Sequence, residues 1–94
     1  MIAIWCINSL ACLHWRHWEE GYILFNAASA QTHMLNEFGK AVLELLQEAP
    51  NSVIDLGKQL AVHFALEWDN RAQFYLQSVL ADLDQLGLIE PYVP

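Results

Sequence analysis

The sequence predicts a small α+β domain in which a three-stranded antiparallel sheet is followed by three helices. Between positions 13 and 35, runs rich in aromatic and β-branched residues are separated by turn-forming residues, a pattern typical of paired strands. From Leu35 onwards, apolar residues recur at intervals of three and four, which is the period of a helix face. The chain has 94 residues, a length that suits one domain.

The three strands are predicted in the first third of the chain. The first covers Leu13–Trp18 and is followed by a turn at positions 19–21. The second, Tyr22–Asn26, and the third, Gln31–Leu35, are joined by small and polar residues that indicate a hairpin. Large apolar side chains occur on both faces of these strands, so we expect both faces to be at least partly covered, by helices, by the N-terminal residues or by another chain.

The first two helices are marked by residues that cap them. Asn36 is suited to cap the first helix, which we expect to end near Glu48 because the chain approaches Pro50. Ser52 is suited to cap the second helix, with Asp55 three residues later in the capping-box position. The second helix has an apolar stripe formed by Val53, Leu56, Leu60 and Phe64.

The third helix is predicted to begin at Asp69 or Asn70 and to end at Gly87, a residue that tolerates the left-handed conformation found after many helices. Its expected buried face consists of Ala72, Leu76, Val79, Leu80, Leu83 and Leu86. Phe74 lies about 160° around the helix from Leu76, beside small or uncharged residues. A tolerated surface aromatic is the simpler interpretation, and a second contact surface is the alternative. The short connection to the preceding helix is typical of a winged-helix-like arrangement.

The charge balance argues against nucleic acid as a partner. Four Lys and Arg residues stand against eleven Asp and Glu residues, which gives a net charge of −7. Proteins that bind DNA depend on basic side chains to neutralise phosphates, and the third helix here has only Arg71. A basic peptide or protein segment is better matched to this electrostatic field.

The first twelve residues are predicted to be an apolar N-terminal arm or an extra strand, ahead of a domain that covers residues 13–94. Met1–Ile7 is apolar but lacks the basic segment of a signal peptide, and the chain has no run of the roughly 20 apolar residues that a membrane span needs. We therefore expect a cytoplasmic protein that does not enter a membrane. Two cysteines that are six positions apart indicate reduced thiols rather than a disulfide framework or a zinc site.

No pattern in the chain predicts catalysis, a cofactor or a metal. The nucleophile-elbow, phosphate-loop and zinc-protease motifs do not occur. His14 and His17 are an odd number of positions apart on one strand, so their side chains point to opposite faces. His33 and His63 have no ligand partners at suitable spacing. We expect a protein that is not an enzyme.

The third strand is a candidate for an unpaired sheet edge. Natural edge strands are usually protected by charged residues or proline, and Gln31–Leu35 contains neither. An unprotected edge can accept an extended peptide as an additional strand. Sequence alone does not decide which strand is the edge, but it allows a groove between this strand and the third helix.

Two segments have patterns that are more specific than their secondary structure. They are F-N-x-x-S-x-x-T-H-x-L-N at Phe25–Asn36 and L-x-x-L-G-L-I at Leu83–Ile89. With these segments the chain resembles the PqqD-like peptide chaperones over Leu13–Pro91, and in particular the variant associated with an HPr-kinase-related protein. Both patterns define the scaffold, and neither is a catalytic motif.

This resemblance implies a recognition element that binds the leader segment of a ribosomally made precursor peptide. The leader would add a strand beside the third strand and pack against the third helix, and it would then be presented to a peptide-modifying enzyme or an HPr-kinase-related protein. By position, the implied peptide-binding residues are Gln31, Thr32, His33, Met34, Leu35, Arg71, Phe74, Tyr75 and Ser78.

Two other functions are open from the sequence. A small structural or oligomerisation domain would use the same edge to pair with itself, and a winged-helix DNA-binding regulator would need a more basic third helix. The hydrophobic arm Met1–Ile7 can cover the groove, join the sheet or exchange between two protomers. The sequence is therefore also compatible with a homodimer.

Overall fold

A computed structural model describes residues 4–19 and 21–93 of the chain. Within these residues the elements occur in the order β1 (Ile4–Ile7), β2 (Leu13–Trp18), β3 (Gly21–Asn26), β4 (Gln31–Leu35), α1 (Glu37–Glu48), β5 (Asn51–Ser52), α2 (Val53–His63), α3 (Asn70–Gln85) and β6 (Ile89–Pro91). Glu20 of the predicted turn and Met1–Ala3 of the predicted arm lie outside the described residues.

The predicted three-stranded antiparallel sheet is confirmed, in the order β2-β3-β4. In its register Leu24 of β3 lies opposite Trp15 of β2 and His33 of β4. Since Leu24 is completely buried, this row belongs to the face that packs on the helices. Alternate residues, among them Phe25, therefore form the opposite face.

Helices cover only one face of this sheet. Trp18, Phe25 and Met34 lie on the other face and are 41%, 39% and 66% exposed. The expectation that both faces are covered is thus met on the helix side, whereas these three apolar side chains stay partly exposed on the outer side.

A second three-stranded antiparallel sheet, in the order β5-β1-β6, was not predicted. Its central strand is the described part of the N-terminal arm, with Trp5 opposite both Asn51 and Pro91. The prediction of a single sheet was therefore incomplete. Strands of two and three residues, such as β5 and β6, are too short to show the alternation from which a strand is predicted.

The predicted helix caps are confirmed by hydrogen bonds. The Asn36 Oδ1 atom accepts from the Gly39 N–H at 2.9 Å, and the Ser52 Oγ atom accepts from the Asp55 N–H at 3.1 Å. Of the two candidates for α3, Asp69 is the cap, and its carboxylate accepts from the Ala72 N–H at 2.9 Å. Each bond satisfies a backbone donor that has no partner within its helix.

Gly87 has a φ of 76° after the last turn of α3, as predicted. The longest helix of the described residues, α3, has 16 residues, and none of these helices is both long enough and apolar enough to cross a membrane.

The hydrophobic core lies between the inner face of the first sheet and the three helices. It includes Leu24, Val42, Leu43, Leu46, Leu56, Leu60, Leu76, Leu80, Leu83, Leu88 and Ile89. The first helix, α1, contacts β1 of the second sheet as well as β3 and β4 of the first. The sequence predicts an apolar stripe for α1 formed by Leu35, Phe38, Val42, Leu45 and Leu46. The position of α1 between two sheets explains why Leu43, which lies outside this stripe, is also fully buried.

Leu80→Ala is expected to lower the free energy of unfolding by about 2–5 kcal/mol, because Leu80 is only 1% exposed and its removal leaves a cavity. Urea denaturation followed by circular dichroism measures the change. Phe74→Ala is the control on the same helix: its side chain is 71% exposed, so the change is expected to stay within about 0.5 kcal/mol. A similar loss in both variants would contradict the observed phase of α3.

Gly57→Ala and Gly39→Ala are expected to change stability in opposite directions. In α2, a Cβ at Gly57 would lie 2.8 Å from the Trp68 Nε1 atom, which donates a 2.8 Å hydrogen bond to the Gln73 Oε1 atom. Overpacking of this kind costs about 1–3 kcal/mol and outweighs the gain in helix propensity. In α1, a Cβ at Gly39 would meet its nearest atom at 3.5 Å, so alanine is expected to stabilise by about 0.5–1 kcal/mol. Thermal unfolding of both variants shows whether each substitution stabilises or destabilises the protein. Stabilisation by Gly57→Ala would contradict the close approach of Trp68 to Gly57.

Candidate functional site

The fourth strand has an unpaired outer edge within the described residues. β4 pairs with β3 on one side, and no other described strand pairs with it. The register turns Gln31, His33 and Leu35 towards the helices, and Thr32 and Met34 towards the outer face. The other edge of this sheet lies along β2, which carries Arg16, so β4 is the uncharged one of its two edge strands.

A groove of about 320 Å³ lies between the end of β4 and α3. Its lining residues are Met34, Leu35, Asn36, Gly39, Tyr75, Ser78, Val79, Asp82, Leu83 and Leu86. Leu83 is buried and belongs to the core, whereas Tyr75, Ser78 and Leu86 are exposed. The groove is therefore a shallow apolar depression next to an unpaired strand.

Asn36 connects the strand side of the groove to the helix side. Its Oδ1 atom caps α1, and its Nδ2 atom donates to the Tyr75 hydroxyl at 3.5 Å. The Tyr75 ring also packs on the Phe38 ring, with the ring centroids 4.9 Å apart. These two contacts hold Tyr75 at one end of the groove.

The structure brings together four of the nine residues that the sequence singled out. Met34, Leu35, Tyr75 and Ser78 line the groove. Gln31, Thr32 and His33 continue the β4 edge away from it, and Arg71 and Phe74 are exposed on α3 without lining it. None of these positions has been tested as a binding residue, so their role stays a prediction.

Sequence reasoning missed Val79, Asp82 and Leu86, which also line the groove. It centred the contact face of α3 on Phe74 and assigned Val79 and Leu86 to the buried stripe. At about 100° per residue, Tyr75, Ser78 and Asp82 lie between about 40° and 100° from Phe74. The predicted contact face therefore overlaps the groove face of α3, but its centre lies farther around the helix.

A larger cavity of about 610 Å³ lies between α1 and α2, lined by residues that include Ala41, Leu45 and Val62. All of its lining residues belong to helices, where backbone groups pair within the helix except at its ends. This cavity can take apolar side chains but offers no free strand edge. The β4 groove is the better candidate because it combines a side-chain pocket with main-chain donors and acceptors.

Two buried polar atoms on the inner face of the sheet have no hydrogen-bond partner within the described residues. They are the Trp15 Nε1 and His33 Nε2 atoms, which lie in the row that crosses the three strands at Leu24. Lys40 packs near this row, with its Nζ atom 4.7 Å from the Tyr22 ring centroid, and it forms an ion pair with Glu44.

The histidines and cysteines do not form a metal site within residues 4–19 and 21–93. No three His, Cys, Asp or Glu side chains lie close enough there to hold a metal ion. His14 and His17 face opposite sides of β2, as predicted, since they lie opposite Phe25 and Tyr22. Cys6 and Cys12 are both free thiols, and the Cys12 Sγ atom lies 3.6 Å from the His14 Nε2 atom.

Cys12 is expected to react with iodoacetamide faster than Cys6 near neutral pH. Burial and the nearby Glu90 carboxylate raise the pKa of the Cys6 thiol, so Cys6 has less of the reactive thiolate, whereas Cys12 is exposed. Mass spectrometry of alkylated peptides measures both rates, and the difference should disappear in denaturant. Equal rates in the folded protein would contradict the described environment of Cys6.

The comparisons with known proteins give one result. The family model described as Coenzyme PQQ synthesis protein D (PqqD) matches residues 21–89, which include β3, β4, all three helices and every residue that lines the groove. The searches of curated proteins and of solved structures returned no match. Since the match covers more than half of the 94 residues, the chain belongs to the PqqD family.

Proposed function

We propose that this protein is a non-catalytic module that binds the leader segment of a ribosomally made precursor peptide and presents it to a modifying enzyme. The unpaired edge of β4 beside the α3 groove is the observation that carries this proposal. Membership of the PqqD family supports it, because the edge and the groove lie inside the matched residues.

The leader would bind by adding a strand to β4. The free N–H and C=O groups of Gln31–Leu35 would supply hydrogen bonds that any sequence can make. Alternate side chains of an added strand point to opposite sides, so half of them would face the groove. There Leu35, Tyr75 and Ser78 would contact the leader, with Arg71 and Phe74 beside it on α3. Selectivity would come from these side chains.

Several finer features belong to the same proposal. The order of three strands and three helices supports a winged-helix-like recognition element of the type used in the biosynthesis of ribosomally made peptides. The partner would be a peptide-modifying enzyme or an HPr-kinase-related protein in the cytoplasm, and the module itself would need no cofactor.

A second candidate function is self-association through the sheet. The exposed outer-face residues Trp18, Phe25 and Met34 favour it, because large apolar side chains exposed on one face can pack against a second copy of the chain. A DNA-binding regulator has less support, because Arg71 is the only basic residue of α3. An apparent molecular size that increases with protein concentration in the absence of peptide would favour self-association.

An NMR titration of isotope-labelled protein with short peptides encoded beside its gene tests the proposal. Saturable shifts of the amides of Gln31–Leu35 and of the groove face of α3, at micromolar or tighter affinity, are the expected result. Shifts that avoid both segments would show that the groove is not the binding site. If no peptide shifts any amide signal and size-exclusion chromatography shows a stable dimer, self-association would be favoured.

Ser78→Trp is expected to weaken binding of a peptide found in this titration by at least about tenfold, because the indole would fill the groove that the peptide needs. Gln77→Trp is the matched control: Gln77 is also exposed on α3, but it lines a different cavity with Trp5 and Val53. Isothermal titration calorimetry gives both affinities, and unfolding temperatures check that both variants fold. Equal losses in the two variants would count against the groove.

A further inference from the structure

We infer that Asp82 makes the groove selective for a peptide with a lysine or arginine two residues from an apolar anchor. This inference rests on the proposed function and specifies the class of peptide that the site takes. It depends on the charge of the groove, on the lack of an internal partner for that charge and on the geometry of an added strand.

Asp82 is the only charged residue among the ten that line the groove. Around it are the apolar side chains of Leu35, Val79 and Leu86, which provide a place for an apolar anchor. A carboxylate beside an apolar wall interacts more strongly with an opposite charge than one surrounded by bulk water. Asp82 is therefore placed to distinguish peptides by charge at one position.

The Asp82 carboxylate has no basic partner within the described residues. The one salt bridge found there joins Lys40 to Glu44, and no hydrogen bond is made to the Asp82 side chain. The Asp82 carbonyl, by contrast, accepts from the Leu86 N–H in the last turn of α3. The side chain thus contributes charge to the groove without an evident role in the fold.

The spacing of the two peptide residues follows from strand geometry. Successive side chains of a strand point to opposite faces, so two side chains that both enter the groove are an even number of positions apart. The anchor pocket and Asp82 share one small groove, which favours a separation of two. The net charge of −7 acts in the same direction, since it attracts basic and repels acidic peptides.

A selection from a displayed library of random twelve-residue peptides tests this inference without knowledge of the natural leader. Binding to the unchanged protein is expected to enrich Lys or Arg two positions from an apolar residue. Asp82→Asn should lose the basic preference but keep the apolar one, and Asp82→Lys should shift enrichment towards Asp or Glu. Enrichment of apolar peptides with no basic preference would overturn the inference and leave the proposed function standing.

Asp84→Asn is the matched control. Asp84 has the same charge on the same helix, but it lines the cavity near Trp5 and Val53 on another side of α3. For the most enriched peptide, Asp82→Asn should raise Kd about three- to fivefold at low salt, and Asp84→Asn should leave it within about twofold. Equal effects of the two variants on Kd would show that the net charge of the protein alone favours basic peptides, and they would overturn the role of Asp82. If the unchanged protein enriches no peptide, the proposed function fails together with the inference.

Discussion

The packing of α1 between two sheets is the constraint on which the rest of the structure depends. Ala41, Val42 and Leu43 are consecutive and all buried, although successive residues are about 100° apart around a helix. Only a helix covered on more than one side can bury all three. The first sheet covers α1 through β3 and β4, and the second covers it through β1. A short chain thereby obtains a core that neither sheet would provide alone.

The candidate site is a consequence of this arrangement. The helices pack on the inner face of the first sheet, and no described strand pairs with the outer edge of β4, which leaves that edge open beside α3. Asn36 links this edge to the fold, since it caps α1 with its Oδ1 atom and approaches Tyr75 with its Nδ2 atom. The residue that begins the central helix thus also helps to set the distance between β4 and α3.

Local signals in the sequence predicted local structure well. The caps at Asn36, Ser52 and Asp69 were found because each joins a side chain to a backbone group three residues later. The second sheet was missed because it pairs Trp5 with residues from the middle and the end of the chain. In the site, Tyr75 and Ser78 were predicted but Asp82 was not, because the rotation of α3 relative to β4 is set by tertiary packing.

The residues of α3 that are buried in the core and those proposed to bind the peptide lie on different sides of the helix. Leu76, Leu80 and Leu83 place one side of α3 in the core, while Tyr75, Ser78 and Asp82 face the groove. In the proposed mode of binding, backbone pairing along β4 would be insensitive to sequence, so discrimination between peptides would come from side chains such as these three. Ser78 and Asp82 are exposed and can change with little cost to folding, whereas Tyr75 also packs on the Phe38 ring. Under this proposal, members of the family would keep the scaffold and differ in the peptide that they select.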